Sequence, residues 1–147
     1  MKRMTKYAAL IVALALCFSL AAACKSQPKS IEDALKSVYD RHYKDLILED
    51  ADTYTVVSGD TLSAISRNKY DNGFYFPVIM LASKDVVVDP DKIEPGMELT
   101  IPDLQKNLDD PKAKANIKSF LTEVAGIEDT RKRAETADGL RKLASSL

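Results

Sequence analysis

The chain has 147 residues, with 46% hydrophobic and 29% charged side chains, a balance that suits one globular domain with extensions. Lys2, Arg3 and Lys6 are the only charged residues among the first 23, which leaves 18 of the 21 basic side chains against all 22 acidic ones; that mildly acidic remainder disfavours nucleic acid as a partner. Two Cys and one His exclude a zinc cluster and argue against Cys/His catalysis, and no cofactor motif is present.

The first element is a basic head, Met1–Lys6, followed by an unbroken apolar run, Tyr7–Phe18, and a small-residue end. This is the pattern of a secretory signal over residues 1–23. Leu20-Ala21-Ala22-Ala23-Cys24 resembles the lipobox of bacterial lipoproteins, with Leu20 four residues before the cysteine and Ala21 in the place where that family usually has Leu. The resemblance implies cleavage before Cys24 and lipidation of its thiol. Cys17 follows the bulky Leu16 and fits a peptidase pocket less well. An uncleaved anchor helix and a signal cleaved without lipid stay open as alternatives, the apolar stretch being at the short limit for a membrane span.

Lys25–Lys29 reads as a polar tether. Residues 30–50 read as an amphipathic helix capped by Ser30, with Glu32 and Asp33 at the positive end of its dipole. Ile31, Leu35, Val38, His42 and Leu46 share one face, which Tyr39, Tyr43 and Ile47 widen. His42 lies on that stripe and reads as a packed structural histidine, since no second His accompanies it. Glu49–Asp52 is an acidic exit from this 24–53 segment.

Residues 54–102 have a different texture. Tyr54–Val57 is β-rich, and Gly59-Asp60-Thr61 breaks it and starts a helix, with Asp60 as the expected cap and Leu62 and Ile65 inside. Asn68–Gly73 is a turn-rich break. Pro77 fits the first turn of a second helix, apolar on most sides and therefore buried. Val86-Val87-Val88 is a short β-branched run ended by Asp89-Pro90. Pro95-Gly96 suits the centre of a type II turn into a last strand, with Leu99 and Ile101 on one side and Glu98 and Thr100 on the other. The order is strand–helix–helix–strand, an α+β (α/β) module flanked by amphipathic helices.

Tyr54-x-Val-x-x-Gly-Asp-Thr-Leu62 and Asp89-Pro-Asp-x-Ile-x-Pro-Gly-x-x-Leu-x-Ile-Pro102 resemble the two ends of a LysM domain, and 54–102 is about the size of that whole module. Phe76 stands where the family often has Trp, and Ser83 where it often has Asn. The resemblance implies noncatalytic binding of N-acetylglucosamine-containing glycan, in peptidoglycan or chitin, in a shallow groove between two loops. By motif position the first loop is Ser58, Gly59, Asp60, Thr61 and Leu62, and the second is Asp89, Pro90, Asp91, Lys92 and Ile93. Backbone amides there can pair the acetamido and hydroxyl groups, Leu62 and Ile93 can meet the methyl, and Gly59 allows close approach. Turn formation, helix capping and core packing are the structural roles that the same residues could fill instead.

Residues 103–147 are a charged extension. Lys112–Ala125 and Asp129–Leu147 both have helical spacing, with Gly126 as the expected break. Arg131-Lys132-Arg133 reads as a solvated helix face, with anionic lipid or phosphate contact as the other possibility. Neither flank has room for a hydrolase domain or shows paired carboxylates, so an enzyme is not expected. The sequence thus predicts a lipid-anchored protein of the cell envelope, on the periplasmic side of the inner or outer membrane. Glycan is its expected partner and the membrane is reached through Cys24. The alternative is an envelope adaptor that binds a protein through its flanking helices.

Overall fold

The structure is a computed structural model and describes residues 30–147. The expected signal segment (1–23), Cys24 and the expected tether lie outside the described residues. Among the described residues six α-helices and a two-stranded antiparallel sheet follow in chain order: α1 (Ile31–His42), β1 (Asp52–Thr55), α2 (Leu62–Tyr70), α3 (Phe76–Ala82), β2 (Glu98–Ile101), α4 (Leu104–Asp109), α5 (Pro111–Thr130) and α6 (Ala134–Ser146).

The sequence-predicted module is present. Tyr54 pairs with Leu99 and Asp52 with Ile101, so the sheet begins two residues earlier than its β-branched run suggested. Val56 lies past the strand but still exchanges backbone hydrogen bonds with Gly96 and Met97. Leu99 and Ile101 face the core while Glu98 is exposed, the alternation expected of a strand with one buried face. Gly96 has φ +94° and Met97 N–H donates to the Glu94 carbonyl, as the Pro95-Gly96 turn requires. All seven residues of α3 are buried, with Pro77 in its first turn. Its end is fastened to β2 by Ser83, whose Oγ accepts from Thr100 N–H at 2.9 Å. Val86–Val88 is irregular and forms no strand, with Val87 alone buried.

Three expectations are corrected. The N-terminal helix ends at His42 rather than near residue 50, and a 3₁₀ turn over Tyr43–Asp45 follows. Beyond it the fully buried Asn107 replaces helical hydrogen bonding: its Oδ1 accepts from Ile47 N–H and its Nδ2 donates to the Ile47 and Asp103 carbonyls, at 2.8–2.9 Å. Asp60 does not cap α2; Thr61 does, accepting from Ala64 N–H. Gly126 does not break the tail but lies inside the 20-residue α5, whose buried Val124, Ala125 and Ile127 hold the helix together on either side of it. The chain reverses instead at Arg131-Lys132-Arg133, with Lys132 in the left-handed region at φ +61°.

The flanking helices complete the core. Ile117, Phe120, Leu121 and Val124 of α5 are solvent-inaccessible and pack with Leu35, Val38 and Tyr39 of α1 and with the buried face of α3. A 49-residue module alone buries little apolar surface, so this sharing supplies much of its interior. Tyr39 Oη donates to the Val87 carbonyl, tying α1 to the module. His42 is a buried structural histidine, as predicted: it packs on Phe120, and its two ring nitrogens lie 2.6 Å from Asn116 Oδ1 and 3.0 Å from Glu123 Oε1. At the far side α6 lies on the Gly73–Tyr75 turn so closely that a β-carbon at Gly139 would stand 2.1 Å from the Phe74 ring.

Candidate functional site

The two predicted loops meet across a groove of about 270 Å³. The first loop contributes Asp60, Thr61, Leu62 and, one residue further, Ser63; the second contributes Pro90, Asp91 and Ile93. Phe76, at the start of α3, lies between them. Six of the ten expected loop residues therefore line one concavity, whereas Ser58, Gly59, Asp89 and Lys92 do not line it.

Local chemistry explains the first loop. Gly59 holds φ +92°, a conformation that favours glycine, and turns the chain between β1 and α2. Asp60 Oδ2 accepts hydrogen bonds from Val57 N–H at 2.9 Å and from Tyr54 Oη at 2.8 Å, so its carboxylate closes the turn. That hydrogen bond raises the Tyr54 phenol above its ordinary range. Thr61 caps the helix, and Leu62 is buried in the core. Most side chains of this loop are thus committed to structure, and what they leave to a ligand is a shaped, largely backbone surface.

The second loop is held from outside. Buried Asp89 accepts from Asp91 N–H and from Arg131 Nη1 at 3.0 Å. Asp91 is hydrogen-bonded by both Arg131 and Arg133, and the Arg133 hydrogen bond leads the effects that hold its carboxyl below the usual range. Lys92 Nζ donates to Glu32 Oε1 of α1 at 2.7 Å. The basic cluster is therefore neither a solvated face nor a free anion site: two of its three members clamp the second loop.

Sequence reasoning missed the groove's remaining wall, Glu128, Arg133 and Thr136, which comes from the α5–α6 corner. These residues lie 26 to 34 positions beyond the module's last residue, and the run Arg131-Lys132-Arg133 opposite an Asp-rich loop was the available signal. Phe76 was visible as the residue at the family's Trp position. Among the described residues no group of three or more His, Cys, Asp or Glu is arranged to hold a metal ion.

Two antiparallel strands with two helices between them carry a groove bounded by both inter-element loops, and residues 54–102 match the LysM domain family. Residues 54–102 are a LysM domain, a binding module rather than a catalytic one. The potassium binding protein Kbp of Escherichia coli O6:H1 is 52% identical over 50 residues, which are 34% of this chain and 34% of that protein. The aligned stretch is thus about a third of the relative's length. No solved structure matches this chain significantly.

Proposed function

We propose that the protein is a noncatalytic cell-envelope lipoprotein that binds N-acetylglucosamine-containing glycan of peptidoglycan through its single LysM domain. The observation that carries this reading is the convergence of both loop motifs of a LysM domain on one groove. The groove is shallow and its first loop offers mainly backbone groups, each hydrogen bond being worth about 0.5–1.5 kcal/mol net. Short oligomers should therefore bind with dissociation constants in roughly the micromolar to millimolar range.

The anchor reading rests on the N-terminal residues. Lipid on Cys24 would hold the domain beside the wall, and two or more acyl chains give stable attachment, each buried methylene contributing about 0.8 kcal/mol. High local concentration then compensates for weak single-site affinity. Residue 25 is Lys rather than the Asp associated with inner-membrane retention in some bacteria, which favours the outer membrane. The adaptor alternative needs a flanking helix with a large unpartnered apolar face; instead the apolar stripes of α1, α5 and α6 are packed into the shared core. The potassium binding in the name of the relative is said of that protein, of which the aligned 50 residues are 34%.

Sedimentation of the full chain with purified sacculi tests the glycan reading: the expected result is co-sedimentation that N-acetylglucosamine oligomers compete away, and recovery in the supernatant at every sacculus concentration refutes it. Intact mass and acyl labelling test the anchor, with Cys24→Ala expected to abolish the label; an unmodified Cys24 in the mature protein refutes it.

A further inference from the structure

We infer that the C-terminal extension supplies a third wall of the glycan groove, and that Glu128 in that wall is a specificity-determining acceptor for an N–H or O–H group of an acetamido sugar. This rests on the glycan-binding reading above and assigns to it residues outside the LysM domain.

Five charged side chains meet where the second loop touches the α5–α6 corner: Asp89, Asp91, Glu128, Arg131 and Arg133. Three carboxylates thus face two guanidinium groups. The guanidinium hydrogen bonds go to Asp89 and Asp91. Glu128 receives none, although its relative exposure is 1%, the lowest of the three carboxylates. Its Oε2 is buried without a hydrogen-bond partner, 3.6 Å from Arg133 Nη1 and therefore beyond hydrogen-bond reach. Glu128 Oε1 is 3.9 Å from Arg131 Nη1, again a Coulombic neighbour rather than a donor. Burial outweighs both arginines and raises the Glu128 carboxyl above its usual range.

A buried acceptor left without a donor is unfavourable, and a ligand that brings one is favoured correspondingly. Glu128 lines the groove, so the vacant hydrogen-bonding capacity belongs to the same concavity as Thr61 and Ile93. Arg133, 42% exposed at its side chain and bonded to Asp91, lines the groove beside it. The excess of one carboxylate selects the ligand chemistry: a neutral, donor-rich group fits, and an anionic one is repelled. An acetamido sugar offers an amide N–H and several hydroxyls. The Thr136 hydroxyl, on the same wall, adds a second polar contact.

The test is an NMR titration of the full chain in detergent with the N-acetylglucosamine tetramer, followed by affinity measurements on two variants. The expected result is chemical-shift change at the amides of Glu128, Arg133 and Thr136 together with Thr61 and Ile93. Glu128→Leu, which removes the acceptor but keeps the bulk, should raise Kd at least fivefold, and Glu128→Gln, which keeps one acceptor oxygen, should raise it less. Shifts confined to the two loops, or a folded Glu128→Leu protein with unchanged Kd, overturn the third wall while leaving the glycan reading intact. If no amide shifts at millimolar tetramer, the glycan reading fails and the subsite with it. Should Glu128→Leu not fold, the shift map of the unaltered protein decides alone.

Discussion

The two loops that form the groove are built on opposite principles. The first is closed by its own residues: Asp60 reaches back to Tyr54 and Val57, Thr61 reaches forward to Ala64, and every partner lies within six positions. The second is held at a distance, by Arg131 and Arg133 about 40 residues downstream and by Glu32 about 60 residues upstream. Half of the groove is thus a property of the LysM motif, and half depends on the extensions being folded around it.

The sharpest break of this comparison is Arg131→Ala. Arg131 is 90% buried at its side chain, bonds Asp89 and Asp91 together and lies against Glu128. Its removal leaves buried carboxylates without their cation, and breaking such a pair typically costs about 3–5 kcal/mol. Urea unfolding of the full chain should show a loss of about 3 kcal/mol, and glycan affinity should fall with it because the second loop loosens. A loss under about 1 kcal/mol would mean that the second loop is as self-sufficient as the first.

The same contrast explains what was legible in the sequence. Strand, turn, helix and the first loop were readable because their determinants are local: Gly59 for a positive φ, Thr61 beside Asp60 for a cap, Pro77 for a helix start, Pro95-Gly96 for a turn. Even the misassignment of the cap was a shift of one residue between two competent side chains. The errors fall where distant residues decide. Asn116 bonds the carbonyl of His42, where the first helix ends, and Asn107 braces the backbone of Ile47 beyond it; no pattern within 30–50 encodes either. Buried neighbours on both sides carry α5 straight through Gly126. Arg131 and Arg133 look like a solvated basic face until the fold brings Asp89 and Asp91 beneath them. The third wall was missed for the same reason, its one signal being the basic run itself.

A local break should behave locally. Thr61→Ala removes the side-chain cap of α2, a change that costs about 1 kcal/mol. Hydrogen exchange should quicken at Ala64 and its neighbours in the first turn of α2, while amides of the second loop keep their protection. Equal acceleration in both loops would show that the module has a single cooperative clamp and that the two loops differ only in the sequence distance of their partners.

The smallest expected effect is the dependence of the second loop on pH. The hydrogen bond from Arg133 leads the causes that lower the Asp91 carboxyl, with Arg131 reinforcing it. Its folded value therefore lies below the ordinary aspartate value of about 3.9 that the unfolded chain retains. Between those two values the unfolded state binds more protons, so the stabilisation is fully present above about pH 4 and is lost as pH falls through the folded value. Asp91 is partly exposed, so solvent screening keeps the contribution small. Glu123 acts in the same direction: burial pushes its carboxyl up, but hydrogen bonds from Arg41 and His42 outweigh it and leave the net shift downward. Asp91→Asn should accordingly flatten part of the acid limb of the stability profile below pH 4 and leave the profile between pH 5 and 8 parallel to that of the unaltered protein. An acid limb of unchanged slope in this variant would place the linkage elsewhere, in Glu123 first, and would reduce the clamp on the second loop to the buried pair of Asp89 and Arg131.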